Sequence, residues 1–288
     1  MKIGIIGLGL IGGSLGLDLR KCGHIIYGVS RKESTCRRAL EKGVVNHANI
    51  NLSSLSTVDF IFICTPIGLI SQTLKQLTPH LNSEAIITDV GSVKTSIVKE
   101  CELLWPNFVG GHPMAGTAEQ GIEAAQENLF KNAPYVITPT EKTSKNSINI
   151  LEKLAQSLGS IVHTCSPEIH DQSVAWISHL PVIISASLIA ACSEEKEKNI
   201  LKLAQKLASS GFRDTSRVGG GNPELGVMMA KYNQTALLHA LQGYREQLDE
   251  ITEYIKTEQW DSLEKLLMIT QKERSPFIQL EKSSENNS

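Results

Sequence analysis

Residues 7–16 read GLGLIGGSLG and follow directly on the apolar run KIGII (2–6). The loop has the spacing G-x-G-x-x-G, and its candidate phosphate-contacting residues are Gly7, Leu8, Gly9, Leu10, Ile11 and Gly12. In this spacing the first glycine allows a tight turn, the second leaves room for a pyrophosphate, and the third lets helix and strand pack closely. The N-terminus of the following helix offers free N–H groups to phosphate. The stretch therefore predicts a dinucleotide-binding βαβ unit.

Up to residue 165 the chain alternates short apolar runs with amphipathic stretches. The apolar runs, closed by turn residues as in buried parallel strands, are IIYGV (25–29), DFIFICT (59–65), AIITDV (85–90), PYVIT (134–138) and SIVHT (160–164). The helix-like stretches between them are 33–42, 69–77, 94–104 and 144–158. This alternation predicts an α/β fold, with a Rossmann-type parallel sheet domain over residues 1–165.

The pattern changes to long helical stretches after Ser166-Pro167, which is a typical helix start. These stretches are 167–192, 194–210, 223–256 and 259–274, interrupted by the glycine-rich segment GFRDTSRVGGGNPE (211–224). We therefore expect an all-helical domain over 166–280 and a disordered polar tail over 281–288. A thin layer of helices gains stability by burying its apolar face against a second copy, so the helical domain is expected to form a homodimer.

Composition limits the classes of partner. The 288 residues are 41% hydrophobic and 20% charged with a net charge of −2, which favours a soluble protein over a nucleic-acid or membrane-surface binder. Six scattered cysteines without a C-x-x-C pair predict a reduced, cytoplasmic protein with no metal site. Glycines interrupt the apolar N-terminus and Asp18 follows it, so we expect neither a signal peptide nor a membrane span.

The end of the second predicted strand bears on cofactor choice. NAD sites usually have a carboxylate at this point to bind the ribose 2′-hydroxyl. Here the strand IIYGV is followed by Ser30, Arg31 and Lys32, while Glu33 is expected to begin the next helix. A hydroxyl and two cations suit a 2′-phosphate, so NADP is favoured over NAD. The alternative is that both cations are merely solvated.

One histidine has an unusual setting. In FVGGHPMAGTAEQG (108–121), His112 stands between glycines and a proline, where no helix is expected. A neutral imidazole serves as a general base near pH 7, because its ordinary pKa lies close to that value. Five other histidines carry no motif: His24, His47, His80, His163 and His239. The alternative for His112 is a loop histidine that caps backbone groups.

Five motifs occur in an order that resembles the TyrA family, the prephenate and arogenate dehydrogenases of tyrosine biosynthesis. They are GLGLIGGS at the N-terminus, CTP (64–66), DVGSVK (89–94), GGHPMAG (110–116) and SHLP (178–181). The resemblance extends to about residue 275 and implies a nucleotide-binding domain followed by a helical dimerisation domain. It also implies a cyclohexadienol substrate, which passes hydride to the nicotinamide and loses CO2 as its ring becomes aromatic.

The resemblance also implies roles for particular residues. His112 would take the proton of the substrate hydroxyl, and Ser92 would orient His112 through a hydrogen bond. Arg217 would bind a substrate carboxylate, although the nearby Arg213 could be confused with it. His179 would line the substrate pocket or serve only in helix packing. At the edge of the sheet, Thr65 and Pro66 would meet the nicotinamide ribose.

Several alternatives stay open. We favour arogenate with NADP as the substrate pair, with prephenate as the alternative. The ammonium group of arogenate calls for a carboxylate, and the candidates are Asp171, Asp214 and Glu224. A β-hydroxyacid-type dehydrogenase would use a lysine base on the helical domain, for which Lys231 is the candidate. A non-catalytic NADP-binding sensor is the remaining alternative.

Overall fold

The computed structural model describes residues 1–117 and 119–278. The predicted disordered tail, 281–288, lies outside these residues. Within them the strands are β1 (Lys2–Ile6), β2 (Ile25–Val29), β3 (His47–Asn49), β4 (Phe60–Ile63), β5 (Ile86–Asp89), β6 (Phe108–Pro113), β7 (Pro134–Thr138) and β8 (Ile161–Thr164). The helices of this half are α1 (Leu10–Lys21), α2 (Glu33–Glu41), α3 (Ile70–Leu77), α4 (Thr95–Leu104) and α5 (Lys145–Ser157).

The described strands form one sheet in the order β3-β2-β1-β4-β5-β6-β7-β8. All neighbours are parallel except β6 and β7, which are antiparallel with His112 opposite Val136. The predicted Rossmann-type domain is thus confirmed, with a mixed rather than wholly parallel sheet at the β6 side. Because β1 pairs with β2 on one side and β4 on the other, the strand order reverses at β1, where such folds bind ligands.

The central strands are buried on both faces. Along β4, Phe60 and Phe62 join one hydrophobic cluster, whereas Ile61 and Ile63 join the cluster on the opposite face. Side chains of a strand alternate between faces, so the continuous apolar run FIFI suits a sheet that has helices on both sides. This double burial fixes the positions of the strand ends that carry the site.

Strand β6 was not expected from the sequence, which suggested only that 108–121 is not helical. Paired glycines and a proline disfavour strands in general. Here a side chain at Gly110 would clash with Thr138, and a Cβ at Gly111 would lie 2.7 Å from Thr88 Oγ1. The glycines therefore allow β6 to enter a crowded part of the sheet, and His112 is held on a buried strand rather than in a loop.

The second half is helical, as predicted. Its helices are α6 (Pro167–Val174), α7 (Leu180–Ser193), α8 (Lys198–Leu207), α9 (Ser210–Ser216), α10 (Pro223–Tyr232), α11 (Gln234–Lys256), α12 (Trp260–Glu273) and α13 (Ser275–Ile278). A π-helical turn, Ala175–His179, joins α6 to α7. The expected break over 211–224 is partly helical, because α9 and a 3₁₀ turn at Arg217–Gly220 occupy it.

Packing divides the chain into two compact units, Met1–Gln234 and a second unit that begins at Thr235. Within the first unit, α6 packs against α4 and β7. In length and apolar composition, the helical segment Pro167–Ser193 could cross a membrane, and 28% of its most apolar window is buried. Every group of the candidate site described below lies in the first unit.

Candidate active site

The glycine loop has the geometry that phosphate binding requires. Gly7 adopts φ +98°, a left-handed conformation that favours glycine, and an added Cβ would lie 2.6 Å from the Cys64 carbonyl oxygen. A side chain at Gly12 would clash with the carbonyl oxygen of Gly7. Helix α1 starts at Leu10 with Gly9 as its N-cap, and no side chain caps its first N–H groups. These free donors and the bare backbone fit a dinucleotide pyrophosphate.

The segment after β2 fits the expectation for the cofactor ribose. The Lys32 backbone N–H donates to Ser30 Oγ at 3.4 Å, which tightens the turn. Glu33 is the first residue of α2, so its carboxylate belongs to the helix rather than to the strand end. Arg31 is exposed and makes no ion pair with any side chain in the described part of the chain. A cation without a protein partner at this point suits a 2′-phosphate.

The predicted site residues of the sheet share one edge. Gly7, Thr65, Ser92 and His112 lie at or just after the carboxyl ends of β1, β4, β5 and β6, which are consecutive neighbours in the sheet. Carboxyl ends of parallel strands are where open α/β sheets bind their ligands. The structure therefore brings the cofactor loop and the candidate base to the same edge.

A buried ion pair supports the strand that carries His112. The Lys94 ammonium bonds to Asp89 Oδ2 and donates to the Gly111 carbonyl oxygen at 2.8 Å, and neither Lys94 nor Asp89 is exposed to solvent. Asp89 Oδ1 accepts the Gly111 N–H at 3.3 Å. The two charged residues of DVGSVK thus hold both backbone polar groups of the residue before His112.

His112 is the first member of a hydrogen-bonded chain of three side chains. Its Nδ1 lies 2.8 Å from His170 Nε2, and His170 Nδ1 lies 2.8 Å from Asp171 Oδ1. All three side chains are buried, with His170 and Asp171 in the middle of α6. The hydrogen bonds are arranged as in a catalytic triad, because a carboxylate orients one imidazole, which in turn orients the base.

Asp171 also fixes the start of α4. Its Oδ1 accepts the Lys94 N–H at 2.7 Å and its Oδ2 accepts the Thr95 N–H at 2.8 Å, so it satisfies donors of the first helical turn. Burial alone would raise the pKa of this carboxyl, but the hydrogen bonds from His170, Thr95 and Lys94 outweigh burial and lower it. A carboxylate engaged in this way is not available to a substrate ammonium, so Asp171 is no longer a candidate for that role.

Burial also lowers the pKa values of two histidines of the site, His112 and His179. It is the largest cause that holds the pKa of His112 well below its usual value, with His170 and Lys94 adding to the effect. Burial likewise lowers the pKa of His179 to about 4. His179 Nδ1 lies 3.1 Å from Asn233 Nδ2, which also donates to the Asp171 carbonyl oxygen at 2.7 Å. Both imidazoles are therefore neutral near pH 7, as a proton acceptor must be.

Two buried side-chain atoms at the carboxyl edge of the sheet, Thr65 Oγ1 and Ser92 Oγ, have no hydrogen-bond partner within the described residues. The predicted hydrogen bond from Ser92 to His112 is therefore not formed, and the hydrogen bond of His112 Nδ1 is made with His170. Buried polar groups without partners are rare in native proteins, since each costs about 1–3 kcal/mol. Such atoms at the carboxyl edge of the sheet fit contacts to a bound polar ligand.

Arg217 is exposed and forms no ion pair with a side chain in the described ranges. Its turn is fastened to α7, the helix that begins just after His179, because Ser185 Oγ donates to the Thr215 carbonyl oxygen at 2.6 Å. By contrast, Arg213 is already paired with Asp214 at 3.1 Å. Arg217 is therefore better suited than Arg213 to bind an incoming carboxylate.

The rival lysine has a different environment. Lys231 is exposed, with its ammonium 5.5 Å from the ring centre of Tyr232. A lysine base is activated by burial in an apolar pocket or by a nearby cation, whereas Lys231 lies exposed on the surface. Lys231 thus gives no support to a β-hydroxyacid-type mechanism.

The sequence did not identify His170, Lys94 or Asn233 as site residues. The available signal for His170 was weak: a His-Asp pair a few residues after the helix start at Ser166-Pro167. Lys94 belongs to the motif DVGSVK, but its complete burial beside Asp89 depends on the distant strand β6. Contacts between residues 58 to 77 positions apart join the histidine chain to the sheet, and periodicity does not reveal such contacts.

Comparison with known proteins identifies the family that both halves of the chain match. The family "Prephenate dehydrogenase, nucleotide-binding domain" matches residues 15–164, and "Prephenate dehydrogenase, dimerization domain" matches residues 166–269. The prephenate dehydrogenase of Bacillus subtilis is 33% identical over 266 residues, covering 90% of this chain and 71% of that protein.

Two solved structures are also similar. The Synechocystis arogenate dehydrogenase has 57% identity and a TM-score of 0.88, with 96% of this chain and 100% of that chain covered. The A. aeolicus prephenate dehydrogenase, in complex with hydroxyphenyl propionate and NAD⁺, has 27% identity and a TM-score of 0.91, with 96% and 98% covered.

Proposed function

The chain belongs to the prephenate dehydrogenase family, and from this premise we propose that it converts L-arogenate to L-tyrosine with NADP as the oxidant. The observation that carries the proposal is the buried, neutral His112 at the carboxyl edge of the sheet, the edge that also carries the glycine loop. The choice of arogenate is supported by the 57% identity to the Synechocystis arogenate dehydrogenase. The alternative is prephenate, on which relatives of lower identity act according to their names.

Binding of the cofactor is the first step that the chain's residues explain. The N–H groups at the start of α1 and the bare backbone of Gly7 and Gly9 would hold the pyrophosphate. Ser30 and Arg31 would contact a 2′-phosphate, and Thr65 and Pro66 would lie beside the nicotinamide ribose. When bound, the cofactor accepts the hydride. NADP is favoured over NAD because no carboxylate occupies the end of β2, where NAD sites usually have one.

Substrate binding would use the groups that have no protein partner. Arg217 would form a charge-assisted pair with a substrate carboxylate. Ser92 Oγ, buried without a partner among the described residues, would meet a polar group of the substrate, and the neighbouring His179 would line the pocket. Ser92 Oγ would then form its hydrogen bond with the substrate hydroxyl and not with His112. Asp171 is engaged elsewhere and Asp214 is paired with Arg213, so Glu224 is the remaining candidate partner for the ammonium group of arogenate.

The proton would move twice at His112. As hydride leaves the hydroxyl-bearing carbon, the hydroxyl proton passes to His112 and the carbon becomes a carbonyl. Loss of CO2 from the ring then sends its electron pair to that carbonyl oxygen, which becomes a phenolate. His112 returns the proton to give the phenol, so the imidazole ends neutral as it began. The aromatic product makes the step essentially irreversible.

A homodimer through the helical domain is part of this proposal. The matched family domain is described as a dimerization domain. Along α8, Ile200, Leu203 and Leu207 are 56%, 56% and 70% exposed and form an apolar stripe at helical spacing. Exposed apolar stripes of this kind mark interaction surfaces, and we assign this one to a second copy of the chain.

A cytoplasmic location is proposed because all six cysteines are free, as in a reducing compartment.

Steady-state kinetics with arogenate and prephenate, each with NADP and with NAD, test the proposed function. We expect the highest kcat/KM for arogenate with NADP, by at least tenfold over either exchange. A higher value for prephenate would overturn the substrate, and a higher value for NAD would overturn the cofactor. NADP binding without turnover of either cyclohexadienol would favour the non-catalytic sensor.

A further inference from the structure

We propose that His170 and Asp171 hold His112 as the tautomer with its proton on Nδ1, so that Nε2 is the atom that accepts the substrate proton. In this proposal His170 and Asp171 are positioning residues that act through His112. The structural part stands on the hydrogen bonds alone, whereas its kinetic consequence rests on the proposed function.

The position of each proton follows from whether each atom can donate or accept a hydrogen bond. An ionised carboxylate only accepts hydrogen bonds, so His170 Nδ1, 2.8 Å from Asp171 Oδ1, must carry its proton. In a neutral imidazole the other nitrogen then has a lone pair, so His170 Nε2 accepts. His112 Nδ1, 2.8 Å from that atom, must therefore donate, and its own Nε2 carries no proton.

Asp171 is itself fixed by the backbone. The N–H groups of Lys94 and Thr95 donate to its two oxygens at 2.7 and 2.8 Å, so the carboxylate cannot rotate without losing both bonds. His170 is 2% exposed and Asp171 is 4% exposed, so water does not compete for these positions. The start of α4 thereby determines the direction in which both imidazoles share their protons.

This tautomer suits the chemistry. A histidine with its proton on Nε2 would turn a donor toward the substrate hydroxyl and could not accept its proton. With Nδ1–H directed at His170, the imidazolium formed after proton transfer keeps that hydrogen bond unchanged. No further proton movement is required until Nε2 returns the proton to the phenolate.

NMR of the full-length protein, uniformly labelled with ¹⁵N-histidine, tests the tautomer without substrate. At pH 8 we expect His112 to show a protonated Nδ1 and an unprotonated Nε2, with its signals assigned by their loss in His112→Asn. Finding the proton on Nε2 would overturn the proposal. His112 would also carry its proton on Nε2 if His170 were protonated on both nitrogens and donated to His112 Nδ1. The ¹⁵N signals of His170 would reveal that state.

Kinetics of two matched substitutions test the consequence. Glutamine can place an amide oxygen where Nε2 of His170 lies, whereas asparagine is too short to reach His112. We expect His170→Asn to lower kcat at least about tenfold with KM and the NADP Kd little changed, because the tautomer and orientation of the base are lost. His170→Gln should recover most of that loss, and His163→Gln, at an exposed histidine of β8, should match the wild type.

Equal kcat in the wild type and His170→Asn would overturn the positioning role, as would equal losses in the asparagine and glutamine variants. If His170→Asn fails to fold, the glutamine variant and the NMR of the wild type still decide. Failure of the proposed function has a different signature: the wild type would turn over neither cyclohexadienol, while the tautomer could still be read by NMR.

Discussion

The side chains of Asp89 and Lys94, five positions apart in the motif DVGSVK, form an ion pair that is completely shielded from solvent. The same ammonium also binds the Gly111 carbonyl oxygen, one residue before His112. A charge at such depth is stable only with its partner, because an isolated ion in the interior loses its hydration without compensation. The pair therefore stabilises the sheet and also holds the backbone next to His112 in place.

Lys94→Met is therefore expected to lower the free energy of unfolding by about 3–5 kcal/mol, since it leaves the Asp89 carboxylate buried and unpaired. Urea denaturation measures the change. Lys142→Met is the matched control, because it removes an ion pair with Glu102 in which the lysine side chain is 65% exposed, and exposed pairs contribute about 0–1 kcal/mol. Similar losses in the two variants would contradict the structural role of the Asp89–Lys94 pair.

His112→Asn should keep the fold and NADP binding but lose the chemistry. Removal of a general base costs about 10²–10⁴ in rate, and stopped-flow measurement of NADPH formation would detect the loss. Ser92→Ala should cost less, because the serine contacts the substrate without taking its proton. A His112→Asn variant with near-normal kcat would show that another group is the base.

The low pKa of His112 affects how activity depends on pH. The base must be neutral, so kcat/KM should fall only where His112 becomes protonated, which is below the usual histidine pKa of about 6.5. We therefore expect activity to hold from pH 7 down past pH 6.5, with the acidic limb at lower pH. An acidic limb centred at or above pH 6.5 would contradict the burial of the base.

Stability should also fall in acid. His179 has a folded-state pKa of about 4, below its unfolded value of 6.5, so the unfolded chain binds more protons between these values. Its contribution is fully present above pH 6.5 and is lost as the pH falls toward 4, by about 3 kcal/mol. His112 adds to this in the same direction. Urea unfolding of wild type and His179→Gln at pH 7 and pH 4.5 measures the effect, which should be smaller in the variant.

Arg31→Ala should weaken NADP binding by about 1.5–3 kcal/mol, as expected for a lost hydrogen bond to a charged group, while NAD binding changes little. Fluorescence titration gives both dissociation constants, and Lys153→Ala, at an exposed lysine of α5, controls for the loss of one positive charge. Equal losses of affinity for NADP and NAD in Arg31→Ala would contradict the proposed contact with the 2′-phosphate.

Arg217→Ala should instead raise the KM for the substrate and leave the Kd for NADP unchanged.

The apolar stripe on α8 should control assembly. We expect a dimer by light scattering at micromolar concentration, and the double substitution Leu203→Glu and Leu207→Glu should shift it to the monomer, because buried carboxylates are costly at an interface. Leu103→Glu is the matched control, since Leu103 is a 73% exposed leucine of α4 in the nucleotide-binding half. A dimer that persists in the double variant would place its interface elsewhere.

The sequence predicted those parts of the fold that local patterns determine. Strands such as β4, with its apolar run, and the glycine loop before α1 were recognisable because their chemistry is contiguous. Strand β6 was not, since paired glycines disfavour a strand unless neighbours such as Thr138 leave no room for side chains. His170 was missed for a similar reason: its partner His112 is 58 positions away, and only the folded chain brings them together.

The π-helical turn at Ala175–His179 gives the helical segment an angular offset. Such a turn contains one residue more than an α-helical turn, so the side chains on either side are rotated by about 100° relative to an uninterrupted helix. His170 and Asp171 can thus face α4 and β6 while His179 meets Asn233. Single-residue deletions within this turn should therefore misdirect one set of polar groups while leaving the helical content nearly unchanged, so the segment's length is constrained more tightly than its amino-acid composition.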